Sequence, residues 1–247
     1  MIYEFKIAVK TIRQEGIRAL LWKIGRYFRQ MANAVRFSLM RKPHGDAAEK
    51  VVDFTLNAAD GLIRPGQARS EFVQLVALLQ KRRPRVVVEI GTATGGTLAA
   101  WCAAADPRAT IVSIDLPGGV HGGGYAYWRT AIYKQFAKPQ QTLHLLRADS
   151  HQAATLQRLK LLLPPGGIDF LFIDGDHTYA GVKADFEMYS PLVRTGGLIA
   201  LHDICVHAPE MDCHVDEFWR DIRAGYKSRE FIENPHQGFF GVGLIEW

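Results

Sequence analysis

Cysteine is scarce in this chain: Cys102, Cys205 and Cys213 are the three in 247 residues. They form no C-x-x-C and no paired framework, which excludes a disulfide-stapled secreted scaffold and fits free thiols in a reducing compartment. Cys102, amid apolar helical sequence, reads as a small core residue. Cys205 and Cys213 stand near a strand end that carries an acid, but as a pair they are not expected to hold zinc. Long apolar runs are also missing. No stretch reaches the about 20 residues that a spanning helix needs, and no apolar segment with a small-residue cleavage site opens the chain. The cytoplasm is therefore the expected compartment. Absent too is a G-x-G-x-x-G after a strand, which argues against a nicotinamide-dependent oxidoreductase. Internal repeats and low-complexity tracts are lacking.

What remains is the composition of a globular protein, 48% hydrophobic and 22% charged. Its charge is uneven. Residues 1–50 carry 11 Lys/Arg against 4 Asp/Glu, or +7, so the rest of a chain with net charge +5 is at −2. A nucleic-acid enzyme should carry its basic surface around the catalytic crevice, so no nucleic-acid partner is expected. The basic segment has helical periodicity. Ile17, Leu20, Leu21, Ile24, Phe28, Met31, Val35 and Leu39 recur at three- and four-residue steps, with Arg18, Arg26, Arg29 and Arg36 elsewhere on the wheel. Ile2, Phe5, Val9 and Ile12 form a shorter stripe before a break at Gly16. Such a helix can lie on an anionic membrane surface, or pack on its own core or a second subunit. Arg41-Lys42-Pro43-His44-Gly45 reads as a linker, which divides the chain into a helical arm, 1–45, and a main domain, 46–247.

From Arg64 onward strand and helix alternate. Helices are expected over Gln67–Lys81, from the glycine turn to Ala105, and over Tyr125–Ala137, Gln152–Leu163, Tyr179–Val193 and Val215–Ala224. Strands are expected over Arg85–Ile90, Thr110–Asp115, Thr142–Arg147, Ile168–Asp174 and Gly197–Asp203. This order implies βαβ units and a parallel sheet covered on both faces. The end differs: Phe231-Ile232 and the run Gly238–Ile245 have no helix between them and read as an antiparallel pair.

The chemistry sits at strand ends. Leu171-Phe172-Ile173 runs into Asp174-Gly175-Asp176-His177, and Gly197–Leu201 into His202-Asp203. In open α/β sheets ligands bind beyond the carboxyl ends of the strands, so both segments deliver acid and imidazole to one crevice. That pattern suggests a metal-assisted active site. Asp176 is better read as a helix cap. The first strand and turn, Val86-Val87-Val88-Glu89-Ile90-Gly91-Thr92-Ala93-Thr94-Gly95-Gly96-Thr97, put an acid before the glycines. A carboxylate there repels phosphate and suits a cationic or hydroxyl-bearing ligand, while Asp115 is placed to accept both hydroxyls of a ribose. The glycine-rich loop Gly118–Gly124 is placed to act as a lid.

Glu89-Ile90-Gly91…Gly95, Ile114-Asp115, Ala148-Asp149-Ser150 and the Asp174 and Asp203 strand ends together resemble class I S-adenosylmethionine-dependent methyltransferases. The metal-dependent O-methyltransferase branch, with sugar and macrolide O-methyltransferases and cephalosporin-hydroxylase-like proteins, is the nearest likeness. It covers roughly Gln67 to Trp247 and leaves out the arm. The resemblance implies an α/β Rossmann-like, seven-stranded, mostly parallel sheet with a reversed last strand. It also implies transfer of a methyl group to a hydroxyl of a saccharide, glycolipid or secondary metabolite. Within it Glu89 and Gly91 fall at the methionine part of the cofactor, Asp115 at the ribose, and Asp149 and Ser150 at the adenine, with Gly95 and Thr97 also cofactor-binding. Asp174 and Asp203 fall at a divalent cation, Mg²⁺ or Mn²⁺, with His177 as catalytic base. His202 departs from the branch, which places an acid or amide there. An imidazole softens the site and opens it to Mn²⁺ or another transition ion beside Mg²⁺, unless His202 acts from behind the ligands or contacts the substrate. A non-catalytic member that keeps the fold is the competing reading. An arm held at the inner membrane face would suit a lipid-linked acceptor.

Overall fold

A computed structural model describes residues 16–118 and 124–247. The stripe Ile2–Ile12 and most of the Gly118–Gly124 loop lie outside the described residues. The chain divides into two units, one up to Arg41 and one from Lys42.

The first unit contains helix α1, Ile17–Leu39. It starts after Gly16, whose φ of +85° is a conformation that glycine adopts at no steric cost. At its other end the Met40 amide donates to the Phe37 carbonyl at 3.1 Å.

The second unit holds a seven-stranded sheet in the order β3-β2-β1-β4-β5-β7-β6. Strands β1 (Val86–Ile90), β2 (Thr110–Asp115), β3 (Thr142–Arg147), β4 (Ile168–Ile173) and β5 (Val193–His202) pair in parallel. Strand β7 (Val242–Glu246) runs antiparallel to both β5 and β6 (Lys227–Phe231). The reversed strand and the antiparallel ending thus stand as expected, although β6 begins earlier than the apolar run Phe231-Ile232 suggests. The helices flanking the sheet are α2 (Ala48–Gly61), α3 (Arg69–Arg82), α4 (Gly96–Ala104), α5 (Thr130–Tyr133), α6 (Ala153–Leu162), α7 (Tyr179–Tyr189) and α8 (Val215–Ile222). Among the described residues no helix is long and apolar enough to cross a membrane.

Three expectations need correction. Helix α2 is absent from the sequence reading, although Val51, Val52 and Thr55 give it a buried face. Its helical backbone stops before Ala58, where Ala59 and Asp60 turn left-handed. The helix expected over Tyr125–Ala137 shrinks to a short 3₁₀ turn, Tyr127–Arg129, and α5. There the side chains fasten other segments, as Arg129 donates to the Leu62 carbonyl at 2.9 Å. Finally, α7 closes at Tyr189, and β5 already begins at Val193 because Pro191 breaks the helix.

The order reverses between β1 and β4, the point at which an open α/β sheet leaves a crevice beyond its strand ends. Beneath it Trp101 of α4 is fully buried, edge-on to Phe72, Phe170 and Phe172. This aromatic block stiffens the floor on which the crevice is built.

Candidate active site

The crevice begins where β1 ends. The Gly91 amide donates to the Ile114 carbonyl at 2.9 Å, and the Asp174 amide donates to the Ile90 carbonyl at 2.8 Å. Gly91 has φ of +86°, and a Cβ there would stand 1.8 Å from the Asp174 carbonyl oxygen. Only glycine lets the ends of β1 and β4 approach so closely. Asp115, the last residue of β2, then braces the turn: its Oδ2 accepts from the Thr92 and Ala93 amides at 2.8 and 2.7 Å. Its Oδ1 is buried and has no partner. Burial raises the Asp115 pKa, against the two backbone amides that favour its charge.

Two residues expected at the cofactor behave differently. Glu89 does not reach the cavity. It is completely buried beneath the turn, with Oε1 accepting from the Trp101 indole and Oε2 from the Thr92 hydroxyl, both at 2.8 Å. Burial pushes its carboxyl up to about 8. Gly95 caps α4 at φ of +90°, and a Cβ would meet the Tyr133 ring at 2.6 Å. Its smallness admits Tyr133, whose hydroxyl donates to the Ala93 carbonyl at 2.7 Å. Both residues therefore support the turn from behind.

At the ends of β4 and β5 the acids and imidazoles converge. His202 Nδ1 lies 3.1 Å from Asp174 Oδ1 and 3.2 Å from Asp203 Oδ2. His177 reaches the same two acids, with Nε2 3.4 Å from Asp174 Oδ1 and Nδ1 3.5 Å from Asp203 Oδ2. Asp203 is held at φ of +63°, a conformation that costs a non-glycine residue and concentrates at functional sites. Burial alone would raise both carboxyls, but the facing imidazoles outweigh it and hold them below the ordinary carboxylate range. Burial likewise opposes the charged forms of His202 and His177. The two carboxylates overcome it, raising His177 and lifting His202 well above the usual histidine value. Asp176 plays the supporting part expected of it at one remove. Its Oδ1 accepts from the Thr178 amide at 2.9 Å, and Thr178 is the residue that caps α7.

These groups line one cavity of about 580 Å³. Gly91, Thr97, Asp115, Asp149 and Ser150 lie in its wall together with Asp174, His177, His202 and Asp203. Asp149 is anchored by the His151 amide at 2.9 Å and the Gln152 side chain at 3.0 Å.

The cavity also contains residues that the sequence reading missed. His207 Nε2 stands 3.2 Å from Asp203 Oδ1, and its signal was the density of histidine after β5. Cys213, read from the sequence as lying near that acid, lines the same wall. His151 lies 3.3 Å from the buried Asp185 of α7, an ion-pair distance without hydrogen-bond alignment. Asp185 holds the His151 imidazole up at about 9. Its signal was a charged residue inside the apolar stripe Val182, Phe186, Tyr189. Gln67 donates to Asp174 Oδ2 at 3.4 Å. Glu71 of α3 receives the Glu233 and Gly241 amides at 2.9 Å each, and so pins the segment that brings Phe239 and Phe240 to the cavity.

Residues 88–204 match the family model for a methyltransferase domain, Methyltransf_24. An uncharacterized protein of Sinorhizobium fredii is 28% identical over 173 residues, 69% of this chain and 18% of that one. The chain spans less than a third of the length of the curated relatives it matches. Among solved structures, the O-methyltransferase of Bacillus cereus in complex with S-adenosylhomocysteine (SAH) has a TM-score of 0.52 at 20% identity. The alignment covers 85% of this chain and 93% of that one. The MycE methyltransferase of the mycinamycin biosynthetic pathway, in complex with Mg and SAH, has a TM-score of 0.51 at 19% identity, covering 83% and 55%. Residues 88–204 thus resemble a methyltransferase domain, and the likeness to these solved structures is one of fold: a Rossmann-like, mostly parallel sheet with a reversed last strand.

Proposed function

We propose that the main domain, residues 46–247, transfers the methyl group of S-adenosylmethionine to a hydroxyl oxygen of a small acceptor. In this reading Asp174, Asp203 and His202 hold a divalent cation and His177 removes the hydroxyl proton. The observation that carries it is the single cavity that joins the unpartnered Asp115 Oδ1 to the Asp174–His177–His202–Asp203 cluster.

The residues fit the cofactor. Asp115 Oδ1 is a buried acceptor in need of donors, which the two hydroxyls of a ribose supply. Gly91 lets the backbone approach the methionine part, Thr97 borders it, and Asp149 and Ser150 border the adenine. Glu89 and Gly95 serve by fixing the turn. When bound, the cofactor supplies a sulfonium methyl that is already activated, so the protein mainly aligns the reactants and excludes water.

The donor set also fits a cation. Two carboxylates and an imidazole suit Mn²⁺ as well as Mg²⁺, and the Mg found with the MycE methyltransferase supports a cation on this fold. His202 Nδ1 stands between the two acids, so a cation held by all three would take the place of any proton on that nitrogen. His177, oriented by both acids, is within reach of an acceptor hydroxyl in the cavity. A saccharide, a glycolipid or another hydroxylated secondary metabolite is the proposed acceptor class. Residues 1–45 form a separate arm in this reading. Exposed Leu21, Trp22, Phe28 and Leu39 on a basic helix suit an anionic membrane surface at the cytoplasmic face, or a second copy of the chain.

The test is isothermal titration with SAH and NAD, followed by methyl transfer from labelled S-adenosylmethionine to hydroxyl acceptors with and without EDTA. SAH should bind and NAD should not, and chelation should abolish transfer. Binding of NAD in place of SAH overturns the methyltransferase reading; full turnover after chelation overturns the cation.

A further inference from the structure

Cys213 lies in the wall of the cavity between β5 and α8, and methyl transfer as proposed gives it no part. Its sulfur, a His177 ring nitrogen and an Asp203 carboxylate oxygen all lie within 4.8 Å of one another. The cysteine segment is fastened to the His177 loop, because the His214 amide donates to the His177 carbonyl at 2.8 Å. Asp203 is thereby shared by two donor sets. With Asp174 and His202 it presents two oxygens and a nitrogen; with His177 and Cys213 it presents an oxygen, a nitrogen and a sulfur.

The second set has a different chemical preference. Mg²⁺ binds oxygen ligands, whereas thiolate and imidazole select borderline ions such as Zn²⁺ and Co²⁺. A tetrahedral ion with ligands at about 2.0–2.3 Å sets its donor atoms roughly 3.3–3.8 Å apart. His177 Nδ1 and Asp203 Oδ2, at 3.5 Å, already have that spacing. Cys213 Sγ lies within 4.8 Å of a His177 nitrogen and an Asp203 oxygen, so at most about 1 Å of approach is left to reach that spacing.

We propose that His177, Asp203 and Cys213 form a binding site for a transition-metal ion such as Zn²⁺, distinct from the Asp174–His202–Asp203 set, and that its occupancy inhibits methyl transfer. The inhibition rests on the assignment of His177 as the base. An ion there takes the imidazole lone pair that would otherwise accept the acceptor's proton, so the enzyme is shut off while its cofactor end remains intact. The chain would then respond oppositely to hard and borderline cations through two sites that share one aspartate.

Cobalt titration of the chelated full-length protein tests this by absorbance, because a thiolate bound to Co²⁺ gives a charge-transfer band in the near ultraviolet. The wild type should show the band, and Zn²⁺ should remove it while excess Mg²⁺ leaves it. Cys213→Ser should lose the band and weaken Zn²⁺ binding at least about 10-fold, the least that a disturbed metal site shows. Cys205→Ser should keep it. Where Cys213→Ser misfolds, slower labelling of Cys213 by a thiol reagent in the wild type on adding Zn²⁺ gives the same readout. Cobalt binding without a thiolate band, or labelling that Zn²⁺ does not slow, overturns the site and leaves the methyl-transfer reading standing. An intact band with methyl transfer undiminished by Zn²⁺ overturns the inhibition and removes His177 as base.

Discussion

Asp115 makes two kinds of contact with one carboxylate, and two substitutions separate them. Its Oδ2 satisfies the Thr92 and Ala93 amides, while Oδ1 is buried without a partner. In Asp115→Asn the amide oxygen can keep the two backbone bonds, and the amide nitrogen replaces the open acceptor. Hydrogen bonds to a charged acceptor contribute about 1.5–3 kcal/mol, so SAH should bind roughly 10- to 150-fold more weakly. The fold should change little, because the turn stays braced. Asp115→Ala removes both functions. It leaves the buried Thr92 amide without an acceptor, so it should destabilise the chain by about 1–3 kcal/mol as well, with the more exposed Ala93 amide adding little. Isothermal titration with SAH measures the first effect, and thermal unfolding followed by circular dichroism measures the second. If Asp115→Asn binds SAH as tightly as the wild type, Oδ1 does not face the cofactor, and Asp115 is a turn brace alone.

Three further outcomes follow from the site and the arm. His177→Ala should lower turnover by about 10²–10⁴-fold with SAH affinity unchanged. Because Asp174 and Asp203 raise the His177 pKa, its imidazole in the EDTA-treated protein should titrate, by nuclear magnetic resonance, above the ordinary histidine value of about 6.5; titration at or below that value would refute the pairing. His151, held at about 9 by Asp185, contributes stability that is fully present below about 6.5 and lost as pH rises through about 9. The melting-temperature gap between wild type and Asp185→Asn should therefore shrink from pH 7 to pH 10, and a constant gap would mean that the pair carries no folding energy. The full-length protein should sediment with anionic vesicles in low salt, and a chain starting at Gly45 should not; equal sedimentation of both would discard the lipid surface as the arm's partner.

How much of this was legible in the sequence depends on what each signal encodes. Strands β1, β4 and β5 are apolar on both faces, so the residues that end those runs stood out, and Asp174, His177, His202 and Asp203 converge at one rim as expected. The same two-sided burial hid the direction of Glu89. With every residue of β1 buried, alternation could not show which face a side chain takes. Which way the acid turns is decided by Trp101, twelve residues on, whose indole donates to it. The expected helix Tyr125–Ala137 failed for a related reason. Tyr125, Tyr133 and Phe136 are buried as an aromatic cluster, Tyr125 edge-on to Tyr133 and Tyr133 stacked on Phe136, and that tertiary packing outweighs the local helical pattern.

Residues brought to the site from distant segments were the hardest to read, and they share a property. Asp185, Glu71 and Gln67 are buried polar side chains on helices or loops that otherwise show apolar faces. A buried carboxylate costs several kcal/mol unless it is paired, so its presence on an apolar face already implies a partner. The sequence does not say which one. Asp185 finds His151 across the cavity rim, whereas Glu71 collects the amides of the segment before β7. The first pair sets a charge beside Asp149 and Ser150, and the second fixes the aromatic wall opposite. Both ends of the cavity are therefore held by polar residues from helices that themselves carry none of the proposed chemistry. Substitutions at Glu71 or Asp185 should accordingly disturb the shape of the site before they disturb its reacting groups.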